Sequence, residues 1–174
     1  ADAWDELFRV HQLPLYVFVL KMVRNETTAL DIVQETFIAA TRYLGSLKED
    51  GRFLSWMFSI ARQKSAAHWR RSTRDPMANP ATEEIEKFEA VDEIDPTDFL
   101  VAAEQEQFLQ TLLDRLPGSH REVLILFFLE EFSLEEISEI TECPVGTVKS
   151  RLHYAKKSLR KLIENEDEIA EGNP

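Results

Sequence analysis

Apolar residues recur at helical spacing over the first third of the chain. The segment from 4 to about 23 is rich in apolar residues, and its length favours a buried helix over a strand. A second helix is predicted after it, with Thr27 or Thr28 as the N-cap and Gly45 at its end. Its apolar positions follow the helical period: Ala29, Ile32, Val33, Phe37, Ala40 and Leu44. A third helix is predicted over about 52–72, and its first half is apolar on nearly every side, so that half must be buried or face a partner.

The helical pattern stops in the middle of the chain. Three prolines interrupt the stretch between 76 and 98, which contains no glycine. Its eight acidic residues and single lysine leave few apolar positions to pack. A segment with so little apolar surface cannot offset the entropy lost on ordering, so a flexible acidic linker is predicted over 76–99.

Helical periodicity returns in the last third of the chain. Apolar positions between 100 and 116 indicate a helix that ends before a proline. Two capping boxes then open short helices: Ser119 with Glu122, and Ser133 with Glu136. Pro144 suits the first position of a last long helix that runs to about 162 or 163. No strand pattern is present, so the sequence predicts an all-α fold of two small helical domains, 1–75 and 100–174, joined by the linker.

The net charge of the chain hides two purely basic segments. Lys and Arg number 20 against 32 Asp and Glu, and the resulting charge of −12 disfavours nucleic acid as a partner. The stretches 52–74 and 147–162, however, contain several Lys and Arg residues and no acid. This segregation indicates two surfaces that face nucleic acid, although a charge block on a helix is also typical of a solvated face.

Composition excludes several classes of protein. No apolar run approaches the roughly 18 residues of a membrane span, and the first residues lack the basic start and apolar core of a signal peptide. We therefore expect a cytoplasmic protein that is not itself a membrane protein. One cysteine, Cys143, allows no internal disulfide, and the four histidines are not spaced as a metal site. With no nucleophile constellation or glycine-rich phosphate loop, no cofactor, metal or enzymatic activity is predicted.

The two short helices predicted over 133–140 and from 144 onward have the pattern of a helix-turn-helix. In the second of them, one sector is apolar: Val148, Leu152, Ala155, Leu159 and Leu162. The opposite face is rich in hydrogen-bond donors and has no acid: Lys149, Ser150, His153, Tyr154, Lys157 and Lys161. A helix that enters the major groove needs such a face, with Lys149 near the base edges. Arg151 lies at the apolar edge, which favours a DNA-backbone or intramolecular contact.

The residues alone leave other interpretations open. The last helix could be an ordinary amphipathic helix with a lysine-rich solvent face. The chain could also be a stand-alone helix-turn-helix regulator with an N-terminal sensing domain. A helical enzyme or metal-binding bundle would need carboxylates and histidines at spacings such as Glu-x-x-His. No histidine here has an acidic residue three positions before it, so this class is disfavoured.

Several runs of the chain together resemble one family. The runs 133–137 (SLEEI) and 143–152 (CPVGTVKSRL) are similar to the C-terminal domain of bacterial extracytoplasmic-function (ECF) sigma factors. The runs 31–37 (DIVQETF) and 53–62 (FLSWMFSIAR) resemble the first domain of the same family, in the same order. The resemblance spans nearly the whole chain and implies a transcription initiation factor that directs core RNA polymerase to promoter DNA.

The family also implies roles for individual residues. The helix with the Asp-x-x-Gln-Glu pattern docks on the polymerase, which implies a polymerase-binding set: Asp31, Gln34 and Glu35. The third helix binds the minus-ten element and helps to open the duplex, which implies a second set: Arg62, Gln63, Trp69, Arg70, Arg71 and Arg74. The donor face of the last helix would recognise the minus-thirty-five element. The family further implies an anti-sigma factor, often membrane-anchored, as a partner.

One departure from the family pattern affects the third helix. Gln63 and Ala67 stand where the family commonly has Asn and Asp. The implied mode of minus-ten binding is retained, but the preferred minus-ten sequence is not predicted.

Overall fold

The structure is a computed structural model that describes residues 2–72 and 106–172. These residues form seven α-helices and no strand, which confirms the all-α prediction: α1 Asp2–Val23, α2 Glu26–Tyr43, α3 Phe53–Ser72, α4 Glu106–Asp114, α5 Gly118–Leu124, α6 Leu134–Thr141 and α7 Val145–Glu171. The described residues fall into two compact units, 2–72 with Glu135–Cys143 and 106–134 with 144–172. The predicted linker, 76–99, lies outside the described residues. No helix in the described ranges is long and apolar enough to cross a membrane.

Helices α1, α2 and α3 share an apolar core in the first unit. The Phe18 and Phe58 rings lie 5.2 Å apart between centroids, and Phe8 lies 4.6 Å from Phe37. The buried positions of α2 include five of the six predicted: Ala29, Ile32, Val33, Phe37 and Ala40. In the first half of α3, Phe58 is fully buried, whereas neighbours such as Trp56 remain half-buried. The all-round apolar pattern of this half therefore matches burial on one side and partial burial on the others.

The start of α2 differs from the prediction. Asn25, not Thr27 or Thr28, is the N-cap, and its side-chain oxygen accepts a hydrogen bond from the backbone N–H of Thr28 at 2.9 Å. Asn25 has the extended backbone that an N-cap requires, and its amide oxygen satisfies an N–H that the first helical turn leaves without a partner. The helix ends at Tyr43, and a 3₁₀ turn over Leu44–Ser46 follows. Leu44, predicted as an apolar helix position, is exposed in this turn.

The core of the second unit lies among α4, α5 and α7. Arg121 is almost fully buried there and donates hydrogen bonds to the carbonyl oxygens of Leu113 at 2.9 Å and Leu116 at 3.3 Å. It thus satisfies carbonyl groups at the end of α4.

Of the two predicted capping boxes, the one at Ser119 is wrong, because α5 begins at Gly118 with Pro117 as its N-cap and no side-chain cap hydrogen bond. Helix α6 begins directly after Ser133, where the second capping box predicts it.

Two features of the second unit were not predicted. A π-helical turn over Ile125–Leu129 follows α5, and the N–H of Glu130 donates to the carbonyl of Ile125 at 3.1 Å. Helix α7 continues to Glu171, past its predicted end at 162 or 163 and through an acidic stretch. In this extension Glu166 accepts a hydrogen bond from Arg115 at 2.6 Å. This contact fixes part of the acidic end of α7 to the chain just after α4.

The turn between α6 and α7 is short. Glu142 has a left-handed backbone (φ 55°), a conformation that glycine adopts with less strain. The Ser138 hydroxyl donates to the carbonyl of Cys143 at 2.6 Å, which closes the turn. Pro144 is the N-cap of α7 rather than its first helical residue. Three residues therefore connect α6 and α7, and a connection of this length is typical of a helix-turn-helix.

Candidate nucleic-acid and polymerase surfaces

Helix α7 has one buried sector and one exposed sector, as its sequence predicts. Four of the five predicted apolar positions are buried: Val148, Leu152, Ala155 and Leu159. The predicted donor positions lie on the other sides of the helix. Lys149, Lys157 and Lys161 are exposed, whereas His153 and Tyr154 are half-buried, with their rings edge-on at 5.2 Å. Basic side chains therefore project from the surface that the core leaves open.

Two residues of α7 occupy different environments from their neighbours. Arg151 is only 1% exposed and has an interaction within the chain, which favours the intramolecular role of the two that the sequence left open. The hydroxyl oxygen of Ser150 is buried and has no hydrogen-bond partner in the part of the chain that the structure describes. Ser150 was predicted as a DNA-binding residue, but its hydroxyl does not face solvent in this rotamer.

Lys156 is held against its own domain. Its Nζ lies 5.7 Å from the ring centroid of Phe127 and 5.4 Å from that of Phe128. An ammonium group over an aromatic face is attracted by the negative charge density of the ring. Lys156 thus differs from Lys157, which is exposed and carries no such contact among the described residues.

The basic segment of α3 is spread around the helix in three rows, each about 100° from the next. Residues seven apart lie within about 20° of each other around a helix, which groups the basic segment into pairs: Arg62 with Trp69, Gln63 with Arg70, and Lys64 with Arg71. Gln63, Arg70 and Arg71 are exposed, and Arg62, Lys64 and Trp69 are half-buried. Arg74, the last predicted minus-ten residue, lies outside the described residues. The remaining five therefore spread over about 200° of the circumference of α3, with Arg62, Gln63, Trp69 and Arg70 on one side and Arg71 beyond them.

The predicted polymerase-binding residues lie on the exposed face of α2. Asp31, Gln34 and Glu35 are all exposed. The sequence interpretation missed two apolar residues of the same face, Leu30 at 53% exposure and Ile38 at 54%. The sequence does indicate their exposure, because both are apolar residues that fall outside the helical period of the buried positions. Large apolar side chains on an otherwise polar surface are typical of the centre of a protein interface.

Glu35 is engaged within the first unit. Its Oε2 accepts a hydrogen bond from Lys64 Nζ at 3.2 Å, which joins α2 to the basic segment of α3. On the polar face of α2, Glu35 therefore already has a partner within the unit. The α2–α3 packing brings the two side chains together, and the sequence alone did not show that pairing.

Comparison with known proteins identifies the family of this chain. Residues 108–159 match the family model for Sigma-70, region 4, and residues 7–75 match that for Sigma-70 region 2. The chain is 30% identical over 167 residues to the ECF RNA polymerase sigma factor SigW of Bacillus subtilis, which covers 93% of this chain and 89% of the relative. It is 31% identical to the RNA polymerase sigma-H factor of Pseudomonas aeruginosa, over 93% of this chain and 86% of that protein.

Two solved structures share the fold. The sigma factor RpoE of Bartonella quintana, in complex with the anti-sigma factor NepR, gives a TM-score of 0.69 at 23% identity, over 94% of this chain and 98% of that one. CnrH, in complex with the cytosolic domain of CnrY, gives 0.67 at 22% identity, over 94% and 89% of the two chains.

The helical fold, the helix-turn-helix and the two matched regions define a sigma factor of bacterial RNA polymerase. This chain belongs to the ECF sigma factors. It is therefore a transcription initiation factor that directs core polymerase to promoters, and not an enzyme.

Proposed function

We propose that α7 recognises the minus-thirty-five element and that its exposed basic face makes the contacts. The observation that carries this assignment is the division of α7 into a buried apolar sector and an exposed sector with basic residues and no acid before Glu164. Lys149 lies in the first turns of the helix, from which recognition helices contact base edges. Lys157 and Lys161 lie one to two turns beyond His153, where phosphate contacts are expected. Tyr154 and Ser150 complete the proposed site, Ser150 only after its side chain changes rotamer.

We further propose that α3 binds the minus-ten element in the domain 1–75. The exposed side chains of Arg70 and Arg71 support phosphate contacts, and no acid within 52–74 offsets their charge. Trp69 is half-buried, so part of its ring is available to stack on an unpaired base. Arg62 and Gln63 lie about two helical turns earlier, on the rows of Trp69 and Arg70, and Arg74 follows in the sequence. In this proposal the linker 76–99 connects this domain to the helix-turn-helix domain 100–174.

The exposed face of α2 is the proposed polymerase-binding surface. Its polar residues alternate with the apolar pair Leu30 and Ile38, and such a mixture suits a partner with both apolar and cationic groups. Leu30 and Ile38 would supply buried apolar area in the complex, while Asp31 and Gln34 would set the orientation. The face is therefore proposed to be larger than the three residues that the family pattern indicates.

An anti-sigma factor is proposed as the regulator of this chain in the cytoplasm. Support comes from two solved structures of the same fold: the sigma factor RpoE is in a complex with the anti-sigma factor NepR, and CnrH is in a complex with the cytosolic domain of CnrY. A protein that covers the α2 face or the basic face of α7 would block polymerase or promoter binding. Addition of a candidate anti-sigma protein to the chain before core polymerase should then prevent assembly of the holoenzyme if it covers α2, and promoter binding by the holoenzyme if it covers only α7.

Charge reversal on α2 tests the proposed polymerase surface. The double variant Asp31→Lys, Glu35→Lys should lose most of its co-purification with core RNA polymerase, because both substitutions place a cation where the partner is expected to be cationic. Its circular dichroism should match that of the unchanged chain, since both positions are exposed. Normal polymerase binding by this variant would show that the face is only solvated surface.

A further inference from the structure

Lys64 lies between the two proposed surfaces of the first unit. It belongs to the acid-free stretch of α3, on the same row as Arg71, yet neither the family pattern nor the sequence analysis gives it a role. Its Nζ is bound to Glu35 Oε2 at 3.2 Å. One ion pair therefore links the proposed DNA-binding helix to the proposed polymerase-binding helix.

Both members of this pair are accessible to partners. The Glu35 side chain is 61% exposed and the Lys64 side chain 30% exposed. A cationic group of the polymerase can approach the carboxylate from solvent, and a phosphate can approach the ammonium group. Each partner would compete with the ion pair for one of its two members.

We propose that Lys64 is a further DNA-binding residue and that Glu35 controls its availability. This inference rests on the proposed function, because it takes the α2 face as the polymerase site. In the free chain, Glu35 holds the Lys64 ammonium group. When the polymerase engages Glu35, Lys64 is released to bind a phosphate of the promoter. Linkage is reciprocal, so a phosphate that attracts Lys64 also frees Glu35 for the polymerase.

The expected coupling is small, because the pair is exposed and water screens it. Exposed ion pairs of this kind correspond to about a twofold to fivefold change in an equilibrium constant. Such a factor biases the chain toward DNA binding within the holoenzyme and does not act as an absolute switch. The coupling also weakens as salt concentration rises.

The test compares two lysine variants of the full chain, Lys64→Gln and Lys48→Gln. Lys48 is exposed in the same unit and makes no ion pair among the described residues, so its variant controls for the loss of one positive charge. Lys64→Gln should bind purified core polymerase about twofold to fivefold more tightly than Lys48→Gln, because Glu35 is free. If the pair only stabilised the packing of α2 on α3, the same variant would bind the polymerase more weakly.

A second readout measures DNA binding by the assembled holoenzyme. The probe is a short forked DNA of mixed sequence with a single-stranded arm. Lys64→Gln should weaken binding relative to Lys48→Gln and lower the slope of log affinity against log salt by about 0.7, the value for one phosphate contact on a single strand. Equal results for the two lysine variants in either assay would overturn the proposal.

Two further variants separate this inference from the proposed function. In a Glu35→Gln background, Lys64→Gln should no longer raise polymerase affinity; a persistent increase would show that Glu35 is not the controlling group. Asp31→Lys tests the α2 face without touching the pair. If Asp31→Lys weakens polymerase binding while Lys64→Gln matches its control, only the inference fails; if Asp31→Lys binds normally, the polymerase surface itself is wrong.

Discussion

Helices α3 and α7 both carry a basic segment without acids, but they differ in how the buried and exposed positions are distributed around the helix. In α7 the buried positions form one narrow sector, and the lysines project away from it. In α3 the six residues grouped above spread over three rows, and three of them are half-buried. A narrow buried sector leaves one rigid convex face for a groove, whereas a wide basic face suits a strand that bends around it.

The difference explains why the two helices can have separate tasks on one promoter. A duplex groove accepts a helix that offers a few side chains near its N-terminal end, as Lys149 does on α7. An opened strand needs charged groups along its backbone and an aromatic ring for its bases. In the proposed function, Arg70, Arg71 and Trp69 supply those groups on α3. The proposal thus divides promoter recognition between base-edge contacts at one element and contacts with an opened strand at the other.

The largest expected effect concerns the part of α3 that faces the core. Phe58→Ala removes a fully buried ring that packs on Phe18, and it should lower the free energy of unfolding by about 3–5 kcal/mol. Urea unfolding followed by circular dichroism measures the change. Phe8→Ala is the matched control, because Phe8 is partly exposed and should cost clearly less. Equal losses for the two variants would mean that the inner half of α3 is not the core element described above.

Two nearby residues of α7, Arg151 and Lys149, should have separate effects, the first on folding and the second on DNA binding. Arg151→Ala removes a fully buried side chain and should lower the free energy of unfolding by about 2–3 kcal/mol. Lys149→Ala should leave unfolding within about 0.5 kcal/mol of the unchanged chain, since its side chain is exposed. A stable Arg151→Ala variant that loses promoter binding would show that Arg151 contacts DNA after all.

Base recognition and phosphate binding should also separate along α7. In the holoenzyme, Lys149→Ala should cost about 1–3 kcal/mol at the preferred minus-thirty-five sequence and relax base preference at one position. Lys157→Ala or Lys161→Ala should weaken binding to all sequences about equally and reduce the salt slope by about one unit. Equal, sequence-independent losses at Lys149 and Lys161 would place the recognition face elsewhere on the helix.

The smallest expected effect is a dependence of stability on pH in the second unit. Burial raises the pKa of the Glu130 carboxyl from 4.5 to about 7, so the folded state binds more protons than the unfolded state between these values. The stability from this group is therefore complete below the unfolded pKa and is lost as pH rises through about 7. Glu130→Gln should exceed the unchanged chain in stability above that pH, by at most about 1 kcal/mol because solvent screens a partly exposed group. Thermal unfolding across this range, with Glu131→Gln as the control for loss of one acid, measures the difference; equal pH profiles for the two variants would exclude Glu130.

Local periodicity was sufficient to predict the buried sector of α7 and the helical fold class, but not the end of α7. The positions Val148, Leu152, Ala155 and Leu159 recur at helical spacing, so the buried sector and its opposite face followed from the sequence alone. Contacts between helices were not accessible in this way. The Glu35–Lys64 pair, the Lys156 contact with Phe127 and the burial of Arg151 depend on how neighbouring elements pack, and no spacing rule encodes them. The Asn25 cap was missed because three candidate caps, Asn25, Thr27 and Thr28, lie within four positions, and only the backbone conformation decides among them.

Run-off transcription tests the central claim most directly. Purified core RNA polymerase is incubated with this chain and a library of random-sequence templates, and the start sites of the transcripts are sequenced. The account predicts starts that depend on the chain and lie downstream of shared minus-thirty-five and minus-ten sequences, with one minus-thirty-five position relaxed in Lys149→Ala. A core polymerase that initiates with another sigma factor but gives no specific starts with this chain would contradict the account.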